Sequence, residues 1–329
     1  MDEPTNWCDL PAEMMAEVIK HLDFASRMKL RATARLEKEL VESNKMAVER
    51  VSVDSSFRDG PFVFVECHHE PSGLLAVQKY EGFNGSTSKL ISLTTSLIKF
   101  CKVTIFNICS DKNSRHFLDN AVTFLEKIVE GGNFRFPILS VNHLNNDDFQ
   151  SLLELCAPGT DLISFYRPPD RGFKRVFRDP ATLPLLLGAS VIELHLDDHS
   201  LSDVVVEAWI RNHQPIGKKL IIWLGAYNDE DKWQYEREQL LEEELVSNFK
   251  SCYLESVVME NEKSVRIRMD DSSKHILMRI LEEEDVEPRG FSKLQSLKKT
   301  RVVAIWQMIP SDLAEEQYEK SSGYVYFEL

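Results

Sequence analysis

Two short clusters hold side chains able to do chemistry. Cys67-His68-His69 is the nearest thing in the chain to a set of metal ligands. Adjacent residues on a strand point to opposite faces, so these three cannot converge unless a loop carries them, and no metal site is expected. Asp197-Asp198-His199 follows an apolar run, at the end of a strand where an α/β active site would lie. The same residues make a good turn and helix N-cap, which is the role expected of them. No GxGxxG follows a strand, and there is no GxxxxGK[ST] phosphate loop. No GxSxG elbow and no HExxH helix appear. Paired carboxylates are frequent only because the chain holds 53 acids. No catalytic, cofactor-binding or metal-ligating residue is therefore expected, and no enzymatic activity. An enzyme would need a deep apolar pocket with converging titratable groups.

The elements that carry these residues belong to an acidic chain. Lys and Arg total 39 against 53 Asp and Glu, for a net charge of −14. That surplus argues against non-specific nucleic-acid binding, because counterion release needs cations, and against anionic membrane surfaces. Trp209, Trp223, Trp233 and Trp306 are scattered rather than spaced as a base-stacking platform, and core packing is expected of Trp209 and Trp223. The six cysteines, at 8, 67, 101, 109, 156 and 252, form no CxxC pair. Buried free thiols in a reducing compartment are expected. The opening MDEPTNWCDL is acidic and lacks a basic n-region, so no secretory signal is expected. The most apolar stretch, residues 183–194, already contains Glu193 and is too short for a bilayer span. A cytoplasmic or nuclear address follows.

At about 150 residues per domain, 329 residues make two domains or one long one. Residues 1–50 are helical in character and hold no glycine. Asp9-Leu10-Pro11 reads as a helix start, with Asp9 as the cap. Met14, Met15, Val18, Ile19 and Leu22 follow at helical spacing. A second helix carries Met28, Leu30 and Ala32, and a third Leu36, Leu40, Val41 and Met46. Three helices this short bury little surface by themselves and need a partner or the rest of the chain.

Residues 51–329 have another texture, in which short β-branched runs alternate with amphipathic ones. Strands are expected at PFVFVE, KVTIFNI, FPILSVN, DLISF, VIELHL and KLIIWL. Helices are expected around 117–129, 149–155, 183–187 and 204–210, and YRPPDRGF reads as a loop. From KVTIFNI onward the strand starts are roughly 25–34 residues apart, which suggests a leucine-rich-repeat-like array. An ordinary layered α/β domain is the alternative. Beyond Leu224, residues 229–244 read as a solvated acidic helix, and YLESVVME and SVRIRM as a hairpin. The run 276–281 reads as helix, and RVVAIWQMI and GYVYFE as strands. The fold class is thus α+β or α/β: a three-helix module over 1–50, then a strand–helix repeat-like domain over 51–329.

The N-terminal segment resembles an F-box. In that family a Leu-Pro pair opens a short helix, an acid lies two residues on, and apolar residues run to a Leu about a dozen residues later. Here these are Leu10-Pro11-Ala12-Glu13, then Met14, Val18, Ile19 and Leu22. Arg27-Met28-Lys29-Leu30-Arg31 and the run from Ala34-Arg35 match its second and third helices. One position departs: Glu37 stands near the place where many F-boxes carry a Trp. The remainder is similar to the F-box-associated, FTH-type regions of the large nematode F-box families, on SRHFLDNAVTFLEKIVEGGNF, LLELCAPGTDLISF and SVIELHLDDHSLSDVVVEAWIRNHQPIGKKLII.

The resemblance implies a substrate-recognition subunit of an SCF-type ubiquitin ligase, which does no chemistry itself. Leu10, Pro11, Glu13, Met14, Val18, Ile19, Leu22 and Leu30 would meet the SCF adaptor protein and, through it, the cullin. The C-terminal domain would hold a target protein, with no cofactor. The competing expectation is an α/β interaction module that never enters a ligase. It requires the N-terminal helices to pack internally, with Leu10 and Ile19 buried.

Overall fold

The computed structural model describes residues 7–54, 62–69, 74–80, 87–109, 136–142, 150, 152–154, 156, 159–166, 170–180, 182–196, 201–224, 234–261, 263–281 and 302–314. The chain is mixed α/β and divides into two compact units, Met1–Phe106 and Asn107–Leu329.

In the first unit a 3-10 turn, Trp7–Asp9, precedes helices α1 (Ala12–Lys20), α2 (Phe24–Arg31) and α3 (Arg35–Ser43). Asp9 lies in that turn, and Pro11 is the N-cap of α1. The cap expected of Asp9 is therefore absent, because the helix starts at Ala12 and the cap position falls on Pro11, which has no side-chain acceptor. Asp23 does cap α2, accepting from the Ser26 N–H at 2.7 Å. The helices share a small core of Met15, Ile19 and Val41. Arg27, a buried residue, pins it from α2. It donates to the carbonyls of Lys20 at 3.1 Å, Leu22 at 3.0 Å and Asn44 at 2.6 Å, which close the ends of α1 and α3. Arg31 donates twice to Glu42 Oε1 and stacks on Phe100, 4.1 Å from the ring centroid.

Helix α3 stops at Ser43, and Met46, expected on the third helix, opens strand β1 (Met46–Asp54). The boundary expected at residue 50 falls inside this strand. Valines at 48, 51 and 53 stiffen the backbone toward β and bury themselves. Strands β2 (Phe62–His69) and β3 (Leu74–Tyr80), helix α4 (Thr87–Phe100) and strand β4 (Cys101–Cys109) complete the first unit, β4 running just past its end. The strand order is β3-β2-β1-β4, with β1/β2 and β2/β3 antiparallel.

The second unit begins with parallel strands in plain chain order: β5 (Ile138–Asn142), β6 (Leu162–Tyr166), β7 (Val191–Leu196) and β8 (Lys219–Leu224). Their starts are tied stepwise. The Asp161 N–H donates to the Pro137 carbonyl, Ser190 N–H to that of Asp161, and Lys219 N–H to that of Ser190. Between them lie α5 (Asp170–Val176), α6 (Leu183–Gly188) and α7 (Ser202–Arg211). Helix α5 lies where a loop was expected, because the chain turns helical at Asp170, just after Pro168-Pro169. The Lys218 ammonium donates to the carbonyls of Leu187, Gly188 and Ala189 at the end of α6, where the helix dipole favours a cation.

Helix α8 (Gln234–Cys252) leads into β9 (Val257–Asn261), β10 (Ser264–Arg268), β11 (Lys274–Leu281) and β12 (Val302–Pro310), all antiparallel. Strand β12 returns beside β8, so the order is β5-β6-β7-β8-β12-β11-β10-β9. The expected β9–β10 hairpin is present. Helix α8 starts and ends later than the acidic run suggested, and it buries Leu245 and Phe249. The run 276–281, expected as helix, is the last six residues of β11. A short apolar run has no decisive period, and two flanking strands supply its hydrogen bonds. GYVYFE and the helix at 117–129 lie outside the described residues; of the helix expected at 149–155, residues 150 and 152–154 are described and are helical.

The parallel strands are buried on both faces, which makes them near-continuous apolar runs. One face is wholly apolar: Leu139, Val141, Ile163, Phe165, Ile192, Leu194, Leu220 and Ile222. Helices α5 and α8 pack on that side, with Phe173 edge-on to Phe165 at 5.5 Å and Phe249 edge-on to Trp306 at 6.1 Å. The opposite face is polar in β5–β7.

Candidate docking surface and a buried polar row

Helix α1 has two different sides. Met15 and Ile19 point into the bundle, and Ile19 is 0% exposed. Met14 and Val18, one turn apart, stand 55% and 42% exposed, with Pro11 and Glu13 exposed beside them. Leu10, Leu22 and Leu30 are half-buried. Of the eight residues expected to meet an adaptor, Ile19 is thus a core residue, and its neighbour Val18 takes the outward position. The 100° step per residue puts positions 14 and 18 on one stripe and 15 and 19 on the next, and only the packing of α3 selects between them. Exposed Leu36 on α3 is a further apolar side chain of this unit that sequence reasoning did not single out as a contact.

Glu37, which stands near the place of the family's Trp, is buried and accepts from the Trp7 indole N–H at 3.2 Å. An indole brought from outside the helices thus meets the carboxylate at that position. The Glu17–Lys20 pair on α1 is exposed; the Lys20 ammonium, bonded to the carboxylate, lowers the Glu17 pKa.

In the second unit the polar face carries two rows in register. Ser140, Ser164 and Glu193 are partners across β5, β6 and β7, and Tyr166, His195 and Trp223 across β6, β7 and β8. All six are buried. Glu193 Oε1 accepts from the Trp223 indole N–H at 2.6 Å and lies 3.5 Å from His195 Nε2. The His195 ring lies parallel to that of Trp223, with centroids 5.8 Å apart. The Ser140 and Ser164 hydroxyls form no hydrogen bond, so no Ser–His nucleophile-and-base pair is assembled among the described residues. Alternation of Ser, Glu and His within apolar strands is the sequence signal for this row.

Trp223→Phe will cost about 2 kcal/mol of stability, because it leaves the buried Glu193 carboxylate without its donor. Adding Glu193→Leu will recover part of that loss. Urea midpoints of the two single variants and the double variant measure this; simple additivity would show that the bond is not made.

Cys67, His68 and His69 are consecutive residues of β2. Among the described residues no three His, Cys, Asp or Glu side chains are grouped to hold a metal. Asp197-Asp198-His199 lies outside the described residues, and the N-cap of α7 is Leu201, without a side-chain bond. Of the cysteines, Cys101 is in no disulfide and is buried, whereas Cys252 is a free, exposed thiol, so burial does not extend to every thiol. Cys156 is also free, and burial pushes its pKa up to about 12. Among the described residues no helix is long and apolar enough to cross a membrane.

Comparison with protein-family models, with curated proteins and with solved structures returned no match.

Proposed function

We propose that the chain is a substrate-recognition adaptor of an SCF-type ubiquitin ligase, with an F-box-like helical segment and an FTH-like, leucine-rich-repeat-like domain. The observation that carries this reading is the stripe of Pro11, Glu13, Met14 and Val18. An apolar patch left in water on a short amphipathic helix is the usual mark of a groove-binding segment. Helix lengths and order agree with the resemblance. Plain chain order in β5–β8 supports the repeat-like part, and the antiparallel strands β9–β12 depart from it. The second unit then offers the target surface, and tethering raises the target's effective concentration at the transfer centre.

A pull-down of the full chain with the SCF adaptor and its cullin tests the proposal. Met14→Lys with Val18→Lys will cut adaptor retention at least about tenfold, as loss of interface anchors does. Because both positions are exposed, the unfolding free energy will stay within about 0.5 kcal/mol of wild type. Ile19 is no lever here, since a lysine at a fully buried position would unfold the bundle.

The second reading, an α/β interaction module outside any ligase, is favoured by the burial of Ile19 and by the grouping of the three helices with β1–β4 in one compact unit. Failure of the wild-type chain to retain the adaptor selects it.

A further inference from the structure

Arg266 on β10 joins two parts of the second unit. Its Nη1 donates to the Leu313 carbonyl at 2.8 Å, and its Nη2 to those of Ser311 at 2.7 Å and Pro310 at 3.4 Å. These carbonyls belong to the turn that leaves β12. The same turn is held by the Ser311 N–H on the Ser273 carbonyl, and by Leu313 packed on Leu277 and Ile309. A further bond is of another kind: Arg266 Nε donates to His275 Nδ1 on β11 at 2.7 Å. A guanidinium has no acceptor, so this bond exists only while Nδ1 is bare.

We propose that His275 and Arg266 form a pH-sensitive latch, closed on segment 310–313 while the imidazole is neutral and loosened when it takes a proton. Protonation converts the acceptor into a donor and sets a cation against a buried guanidinium. The described groups that face the imidazole are cationic, apolar or already paired. Strand β10 brings Arg268, the register partner of His275, as well as Arg266, both cationic. Strand β12 brings Ile309. On β11 the adjacent Lys274 is bonded to Asp271, whose carboxylate is also taken by Ser273. Asp270 and Asp312 are exposed.

The sign follows from these neighbours. Burial first, then Arg266 and Arg268, lower the His275 pKa from its ordinary 6.5. The open or unfolded chain therefore takes up the proton before the latched one. The latch holds fully above about pH 6.5 and weakens as pH falls through the window below it.

Amide exchange of the full chain tests this. The Ser311 and Leu313 amides, corrected for the intrinsic rate, will exchange about tenfold faster at about pH 5.5 than at about pH 7.5. The Ile163 and Leu194 amides of the parallel strands will not. His275→Gln, whose carbonyl accepts but does not titrate, will remove the difference. Equal protection at both pH values, or the same acceleration in the Gln variant, overturns the latch. Should that variant not fold, the wild-type imidazole nitrogen spectrum decides: a bare Nδ1 at about pH 7.5 supports the proposal, and a protonated Nδ1 overturns it.

Discussion

Trp209→Ala will destabilise the second unit by about 3–5 kcal/mol, the range for truncating a buried large aromatic. The side chain is 1% exposed on α7, where Val205, Val206 and Ala208 are also buried. Alanine would leave a cavity that the parallel sheet beneath cannot collapse to fill, because its strands are tied at their starts. The indole N–H has no acceptor, so Trp209→Phe removes no hydrogen bond and will cost less than about 1.5 kcal/mol. Urea unfolding followed by far-ultraviolet circular dichroism gives both values. An alanine variant within about 1 kcal/mol of wild type would mean that α7 is not packed on the core.

Arg27→Ala will loosen the three N-terminal helices by about 3 kcal/mol. One guanidinium satisfies the last carbonyl of α1 and the carbonyls just after α1 and α3, which have no partner within those helices. Its removal leaves three acceptors around a buried gap. Lysine will restore only part of the loss, since a point ammonium cannot reproduce the fork. Burial lowers the Arg27 pKa below the usual guanidinium value, the electrostatic cost of placing a cation there. Amide exchange in α1 and α3 measures the effect, and unchanged protection in both helices would refute the role assigned to Arg27. Under the proposed ligase function, helices loosened in this way would also lose the adaptor, so this variant is a control for the Met14 and Val18 pair.

The parallel strands were the most legible part of the fold. Runs such as VIELHL and KLIIWL are short, β-branched and bounded by turn residues, and each is a strand within a residue or two of its expected ends. Strand β11 was not legible, because KHILMRIL suits a buried helix as well as a central strand. Strands β1 and β3 and helix α4 were not anticipated. Their sequences, MAVERVSVD, LLAVQKY and TSKLISLTTSLIKF, carry mixed signals that pairing within the first unit resolves. At the candidate docking surface the positions were legible as a set, and the division into Ile19 inside and Val18 outside was not.

What the sequence determined by itself is local: where chain stiffness, proline and apolar spacing start a helix or strand, and a net charge of −14 that disfavours phosphate-rich partners. Which residues meet was decided only by tertiary structure. Trp7 with Glu37, Arg266 with the carbonyls after β12, and Glu193 with Trp223 are pairs about thirty or more residues apart. Their bonds are worth making only once the intervening chain is ordered and water is excluded, and no periodicity within either segment encodes its partner.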